Sequence, residues 1–419
     1  MSLVSSLTTL VLAVTGTPLF VVIAVGALLS FYLSGIDSSA VIIEMYRLAS
    51  TPILVAIPLF AFAGYVLAES NAPKRLVRVS QAFLGWMPGG LAVVVLIGCT
   101  LFTAFTGASG VTIIALGGLA FPALISEKYP EKFSLGLITT SGSLGLLLPP
   151  SLPLILYGVV SNTNIDDLFM AGILPGAVLV ILLVLYSSLR GWRAGTLIVK
   201  VSFREMANAL LESAWEIPLP VVVLGGIYTG YFAVSDAAAI TAFYVLLVEV
   251  VIYREVKVKA LISIIKESMV LVGGILVILG VALAYTNYLI DAQVPIKILA
   301  FIQGHITSRW VFLILLNVFL LIVGCMIDIF SALVVVVPLI LPLAQVYGID
   351  PVHLGIIFLA NLGIGYSTPP VGMNLFIASY RFERPILRLY LASLPFLAIL
   401  LLGLIIITYL PNISLVLIK

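Results

Sequence analysis

The chain has 419 residues, 62% of them hydrophobic and only 9% charged, with a net charge of +2. An average soluble domain carries roughly 25% charged residues, so a water-soluble globular enzyme is excluded, and no basic domain is present to hold nucleic acid. Two cysteines and two histidines, widely separated, make no metal-ligand spacing.

Apolar runs of about twenty residues recur from end to end, each long enough to cross a hydrocarbon layer. Spans are predicted at 8–34 and 50–69. The first is read as a retained span, because no basic stretch precedes it and no small-residue cleavage site follows. A hairpin is predicted at 86–125, bent at 106–110, then a span at 133–160 broken by Pro149-Pro150, and a span at 168–190. After a polar stretch come spans at 209–231, 235–253 and 267–288. A second hairpin is predicted at 306–345, bent at 324–331, then a span at 352–379 broken by Pro369-Pro370, and a last span at 388–410. Asn71–Phe83 and Glu255–Glu267 mix basic with aliphatic residues and are expected as amphipathic helices along the interface.

Adding 220 to the first set nearly reproduces the second: the proline pair 149/150 lands on 369/370, and the bend near 107 lands on 327. Residue identity is scarcely shared, so the repeat is one of layout. The first copy is placed at 1–205 and the second at 232–419. The unmatched crossing, 206–231, inverts one copy relative to the other. The expected fold is an all-α polytopic membrane protein with an inverted repeat, two re-entrant helical hairpins and two discontinuous helices.

Charge tests this layout. With the N-terminus in the cytoplasm and the C-terminus outside, sixteen of the twenty Lys and Arg residues fall in cytoplasmic gaps; only Arg47, Lys297, Arg309 and Lys419 do not. Such a bias sets orientation in a cytoplasmic membrane. Glu249, near a cytoplasmic span end, is expected to reach the headgroups, and Asp236 to cap a helix start. Trp86, Trp192, Trp215 and Trp310 are expected near the interfaces.

Paired breaks at matching places in two halves point to a transporter's binding site. Half-helix N-termini attract an anion, while unwound carbonyls and helix C-termini hold a small cation. Ser109, Ser151, Thr368 and Asn374 would add hydroxyl and amide contacts to a substrate. Gly107, Gly145, Gly324 and Gly365 would adopt the dihedrals that expose carbonyls. Glycines also let helices pack closely, which is the preferred reading for Gly117, Gly118, Gly273, Gly274 and Gly280. Asp328 is a mid-depth carboxylate, a functional hypothesis by default, and also a candidate cap for the returning half-helix.

Several blocks resemble a known family. The strings Leu148-Pro149-Pro150-Ser151-Leu152-Pro153-Leu154-Ile155-Leu156-Tyr157-Gly158 and Leu168-Phe169-Met170-Ala171-Gly172-Ile173-Leu174-Pro175-Gly176 are similar to signatures of the large membrane (DctM-like) subunit of tripartite ATP-independent periplasmic (TRAP) transporters. So are Gly225-Gly226-Ile227-Tyr228-Thr229-Gly230, Gly348-Ile349-Asp350-Pro351 and Thr368-Pro369-Pro370-Val371-Gly372-Met373-Asn374. The resemblance implies an elevator mechanism, sodium-driven uptake of a carboxylate, and residence in the inner membrane. It also implies two partners: a small membrane subunit of about four spans, and a soluble binding protein that delivers the organic anion. Sodium is the coupling ion, with no other cofactor. One ion site is expected at Gly107, Ser109, Gly145 and Pro149, the other at Gly324, Met326, Gly365 and Thr368. The family's Gly-Ser-Ser at the first tip is Gly107-Ala108-Ser109 here, so one hydroxyl is missing.

Two alternatives stand beside this. One is a stand-alone sodium–carboxylate symporter of the same architecture. The other is an intramembrane serine protease, since Gly107-Ala108-Ser109-Gly110 fits a Gly-x-Ser-Gly nucleophile motif. That second alternative needs a base near Ser109, and the only histidines, His305 and His353, are expected at the outer margin.

Overall fold

Backbone groups inside a hydrocarbon layer find no water, so they bond within their own segment. Every regular element among the described residues is accordingly helical. The computed structural model describes residues 3–87, 89–194, 202–306 and 308–418, which leaves Lys200 and Lys419 of the charge count outside. Eight of the described helices are long and apolar enough to cross a membrane, or up to nine if one bent pair counts as a span. This is a multi-pass membrane protein.

The first half begins with α1 (Leu3–Val14), α2 (Leu19–Leu33), α3 (Ser39–Ala49), α4 (Ala56–Glu69) and α5 (Ala72–Leu84). The single span expected at 8–34 is therefore two helices. Gly16, at φ 76°, turns the chain out of α1, and Pro18 precedes α2. Helix α3 is an addition to the expected order. The amphipathic stretch after residue 70 does form a separate helix, α5. The first hairpin is α6 (Gly90–Thr106) with α7 (Ser109–Ser126), and the broken span is α8 (Glu131–Ser141) with α9 (Leu152–Ser161), bent by 45° after a 3-10 turn at Leu144–Leu147. Helix α10 (Ile165–Ala194) follows.

Between the halves lie α11 (Phe203–Glu212) and α12 (Pro218–Tyr228). The span expected at 209–231 is thus interrupted, because Pro218 cannot continue a preceding helix but suits the first turn of a new one. The second half has α13 (Val234–Leu246), prolonged by a π-helical turn at Leu247–Ile252, then α14 (Val258–Asp291) and α15 (Val294–His305). Asp236 does close the start of α13, accepting from the Ala233 N–H at 3.3 Å. The stretch 255–267 is not a separate interfacial helix. No Gly or Pro divides it from the following span, and the two run together as the 34 residues of α14. Helix α15 is a second addition. Where the second hairpin is expected, α16 (Arg309–Met326) leads into α17 (Ile329–Val346), but the two arms scarcely touch and α16 packs on α18 (Pro351–Gly365) instead. Helix α18 with α19 (Met373–Phe382) is the second broken span, and α20 (Ile386–Tyr409) follows.

Packing exchanges partners between the halves. Helix α7 lies against α19 while α17 lies against α9; α8 meets α20 while α18 meets α10; α4 meets α13 while α14 meets α2. Each pair becomes its counterpart when 220 is added to one member and subtracted from the other.

One charged cluster ties α5 to the second half. Arg75 reaches Glu216 and Glu255, both at 2.5 Å, and Glu249 at 3.3 Å, with its guanidinium 4.1 Å from the Tyr253 ring centroid. Glu249 is fully buried, so it faces Arg75 rather than the headgroups. The π-helical turn that holds it carries the side chain inward. Burial works against the charge of Arg75, but its hydrogen bonds to Glu216 and Glu255 outweigh it and hold the guanidinium above its ordinary range. Burial likewise opposes ionisation of Glu255, yet the Arg75 and Asn71 hydrogen bonds leave that carboxyl below its ordinary range.

Candidate substrate and ion site

The first tip forms because α6 ends at Gly107, whose φ of 64° is open to glycine and strained for other residues. Ala108 is extended, and α7 restarts at Ser109 with no side-chain cap. A Cβ on Gly107 would lie 2.6 Å from Leu152 Cγ, so the tip is pressed onto the start of α9. A Cβ on Gly145 would lie 2.1 Å from the Thr100 carbonyl oxygen, so the 3-10 turn is pressed onto α6. The tip and the first break are brought together.

The second tip differs in detail. Gly324 ends no helix; α16 runs on to Met326, which is 63% exposed. A Cβ on Gly365 would lie 2.6 Å from the Gly324 carbonyl carbon. The expectation of special dihedrals fails for Gly145, Gly324 and Gly365, none of which has positive φ. Their missing side chains allow close approach of backbones instead. Gly117, Gly118 and Gly280 are packing glycines as expected, whereas Gly273 and Gly274 meet nothing within 4 Å.

At this second tip the donors are already used. Asp328 accepts from the Phe330 and Ser331 N–H groups, both at 3.0 Å, so its capping role is filled. The Ile329 N–H donates to the Tyr366 hydroxyl at 2.5 Å, and the Gly372 N–H to the Cys325 carbonyl at 2.9 Å. Thr368, half-buried, donates to the Ile364 carbonyl at 2.9 Å, which leaves its oxygen lone pairs available.

Both halves meet at one point. The Ser109 hydroxyl donates to Asn374 Oδ1 at 2.8 Å, and both side chains are buried. Ser109 opens α7 and Asn374 stands in the first turn of α19, so two helix N-termini without side-chain caps converge. Asn374 Nδ2 donates to the Thr139 carbonyl at 3.3 Å, and Ser367 Oγ to the same carbonyl at 3.4 Å. Thr103 Oγ1 donates to the Gly142 carbonyl at 2.8 Å and lies 2.6 Å from Thr112 Oγ1. Thr103, Thr112, Thr139 and Ser367 are absent from the residues expected at the site. The dense polar run Thr139-Thr140-Ser141-Gly142-Ser143 inside an apolar span was the available signal.

Two expected members lie apart from this point. Ser151 is fully buried and donates to the Leu146 carbonyl at 2.5 Å, across the Pro149-Pro150 pair, rather than capping α9. Pro149 lines an apolar cavity of about 540 Å³ with Leu76, Leu101, Phe105 and Leu224. Both proline pairs hold a cis peptide bond. Cys99 and Cys325 are free and buried, and no grouping of three or more His, Cys, Asp or Glu occurs among the described residues. A cation at this point would therefore take carbonyl and hydroxyl oxygens. His353 gives the protease alternative no base: its nitrogens face Ser414 Oγ at 3.2 Å and the Thr408 carbonyl at 3.3 Å, and Ser109 faces Asn374.

Comparison with known proteins agrees with this architecture. The family described as "Tripartite ATP-independent periplasmic transporter, DctM component" matches residues 3–413. The chain is 34% identical over 394 residues to the C4-dicarboxylate TRAP transporter large permease protein DctM of Pseudomonas aeruginosa, covering 94% of this chain and 92% of that one. It is 34% identical over 407 residues to the isethionate TRAP transporter permease protein DctMQ of Oleidesulfovibrio alaskensis, covering 96% of this chain and 64% of that one. It is 30% identical over 411 residues to the ectoine TRAP transporter large permease protein TeaC of Halomonas elongata, covering 96% of each. Among solved structures, the Alcanivorax borkumensis YdaH transporter aligns with a TM-score of 0.62 and 16% identity over 88% of this chain and 86% of that one, a likeness of fold.

Proposed function

Because the chain belongs to the DctM family of TRAP transporters, as a large permease subunit rather than an enzyme, we propose that it carries out sodium-coupled uptake of an organic anion handed over by a soluble binding protein. The observation that supports this most is the meeting of Ser109 with Asn374. Two helix N-termini add their partial positive charges at one buried point, which favours a carboxylate or a related anion. The relatives are named for a C4-dicarboxylate, isethionate and ectoine. The class of substrate here is thus an acid-bearing solute, and its identity is chosen by the delivering protein.

Sodium is cargo in this proposal. One ion sits by the first tip, among the backbone of Gly107 and Gly145 and the Ser109 hydroxyl, without Pro149, and the other between Gly324, Met326, Gly365 and Thr368. Each net charge carried inward down the membrane potential contributes about 2.3 kcal/mol per 100 mV, so excess sodium over anion charge drives accumulation. The chain is divided into repeats at 1–205 and 232–419, joined by 206–231, and the exchanged packing between halves supports that division. The hairpins and broken spans move together past a static scaffold in an elevator cycle. The protein sits in the inner membrane with its N-terminus cytoplasmic and C-terminus outside. Arg384 with Glu131, Arg78 with Glu205, and Arg75 with Glu255 support the placing of these gaps on one common side, since each ion pair joins two of them. The excess of Lys and Arg there is the argument for making that side cytoplasmic.

A small four-span membrane subunit completes the permease. Proteoliposomes holding both subunits are expected to accumulate substrate only with an inward sodium gradient and loaded binding protein. Accumulation without the binding protein would favour the stand-alone symporter, and accumulation without sodium would refute the coupling.

A further inference from the structure

Away from the tips, a cavity of about 420 Å³ opens between the start of α8, the end of α10 and the outer face of α20. Its floor is aromatic: Phe133, Tyr186 and Phe396 form a triangle with centroid separations of 6.0, 5.5 and 5.1 Å. Its rim is basic: Lys132, Arg190 and Arg193 all line it. Arg190 is held over the Tyr186 ring, 5.5 Å from the centroid, with its Nε donating to the Tyr186 hydroxyl at 3.2 Å. Among the described residues none of the three takes part in a salt bridge, and the neighbouring acid Glu131 is bonded to Arg384. Three like charges gathered without an acid repel one another, and an anion relieves that repulsion. Trp192, 72% exposed between Arg190 and Arg193, sets this end of α10 at headgroup depth.

We propose that the cavity binds an anionic phospholipid, with the phosphate against Lys132, Arg190 and Arg193 and an acyl chain lying along Leu391 and Pro395 over the aromatic floor. A soluble anion would satisfy the rim alone and leave the exposed Leu391 and Pro395 side chains and the edge of Tyr186 wet. A neutral lipid would satisfy the floor alone. Only a molecule with both ends matches both surfaces, as basic pockets between membrane helices do elsewhere. Binding does not depend on which side the pocket faces; the orientation proposed above assigns it to the cytoplasmic leaflet. The lipid would join the first broken span to α10 and α20, the helices that follow the two breaks.

The test uses the full chain purified in mild detergent and supplied with phosphatidylglycerol or phosphatidylcholine, with retained lipid counted by native mass spectrometry. Phosphatidylglycerol is expected to be retained preferentially. Each basic side chain near a lipid surface is worth roughly fivefold, so Lys132→Ala/Arg190→Ala/Arg193→Ala should weaken that preference on the order of a hundredfold. Lys257→Ala/Lys259→Ala, a basic pair elsewhere, should not change it. The single variant Arg193→Ala, at the exposed end of α10, should weaken it about fivefold even if the triple variant fails to fold. Equal retention of both lipids, or equal loss in the control pair, overturns the proposal. So does displacement of the lipid by millimolar inorganic phosphate, which would mark a soluble-anion site. A photoreactive benzoylphenylalanine in place of Leu391 should cross-link to lipid in native membranes; cross-linking to another protein overturns it.

Discussion

Ser109 and Asn374 stand 265 residues apart in sequence, yet the serine hydroxyl donates to the asparagine Oδ1 at 2.8 Å within a buried, otherwise apolar body. This bond joins the first hairpin to the second broken span. Ser109→Ala leaves a buried amide oxygen without a donor and should cost about 1–3 kcal/mol of stability, with uptake reduced at least as strongly. Ser109→Ala and Asn374→Ala should be non-additive by about 0.5–3 kcal/mol in thermal unfolding, since both remove one bond. Additive losses would mean that the two side chains act independently.

Gly324 and Gly365 bring the second tip against its broken span through backbone alone. Gly365→Ala would place a methyl 2.6 Å from the Gly324 backbone, and the overpacking should cost about 1–3 kcal/mol. Gly273→Ala meets nothing within 4 Å and should be neutral or slightly stabilising, because alanine suits a helix better. Melting temperatures of the two variants side by side decide this; equal values would remove the packing explanation.

Thr368 donates its proton to the Ile364 carbonyl and keeps its lone pairs. Thr368→Val retains the shape and removes the oxygen. Half-maximal uptake should then need about five- to tenfold more sodium, at an unchanged requirement for binding protein. An unchanged sodium dependence would take Thr368 out of the ion site.

Arg75 is the only cation in salt-bridge reach of Glu249 among the described residues. Arg75→Ala should destabilise by about 3–5 kcal/mol by leaving a buried acid unpaired, and Arg75→Lys should rescue little, since a point charge cannot serve three carboxylates in a fork. Glu255 supplies a pH signature. Its carboxyl is below its ordinary range in the folded protein, so its stabilisation is complete above about pH 4.3, the unfolded value, and is lost as pH falls through the depressed one. The difference in melting temperature between the protein and Glu255→Gln should be flat near neutrality and shrink in acid. A difference growing in acid would reverse the assigned sign.

Layout was legible in the sequence because it rests on local rules. Apolar length sets spans, and Gly107 and the two proline pairs punctuate them at matching offsets, so hairpins and breaks emerge near their expected positions. Helix joins were less legible. Whether 255–267 ends or continues into the next span depends on tertiary support for an uninterrupted ladder, and α14 continues.

What the sequence determined by itself is that this chain crosses a membrane many times and breaks its helices at two paired places, since burial length and backbone hydrogen bonding are local properties. What only the tertiary structure decided is which broken pieces meet. Ser109 bonds to Asn374 while Ser151 turns to the Leu146 carbonyl, Glu249 finds Arg75 rather than a headgroup, and Gly324 serves by lacking a side chain rather than by its dihedrals. Each of these depends on distances between segments remote in sequence, which pattern and composition do not encode.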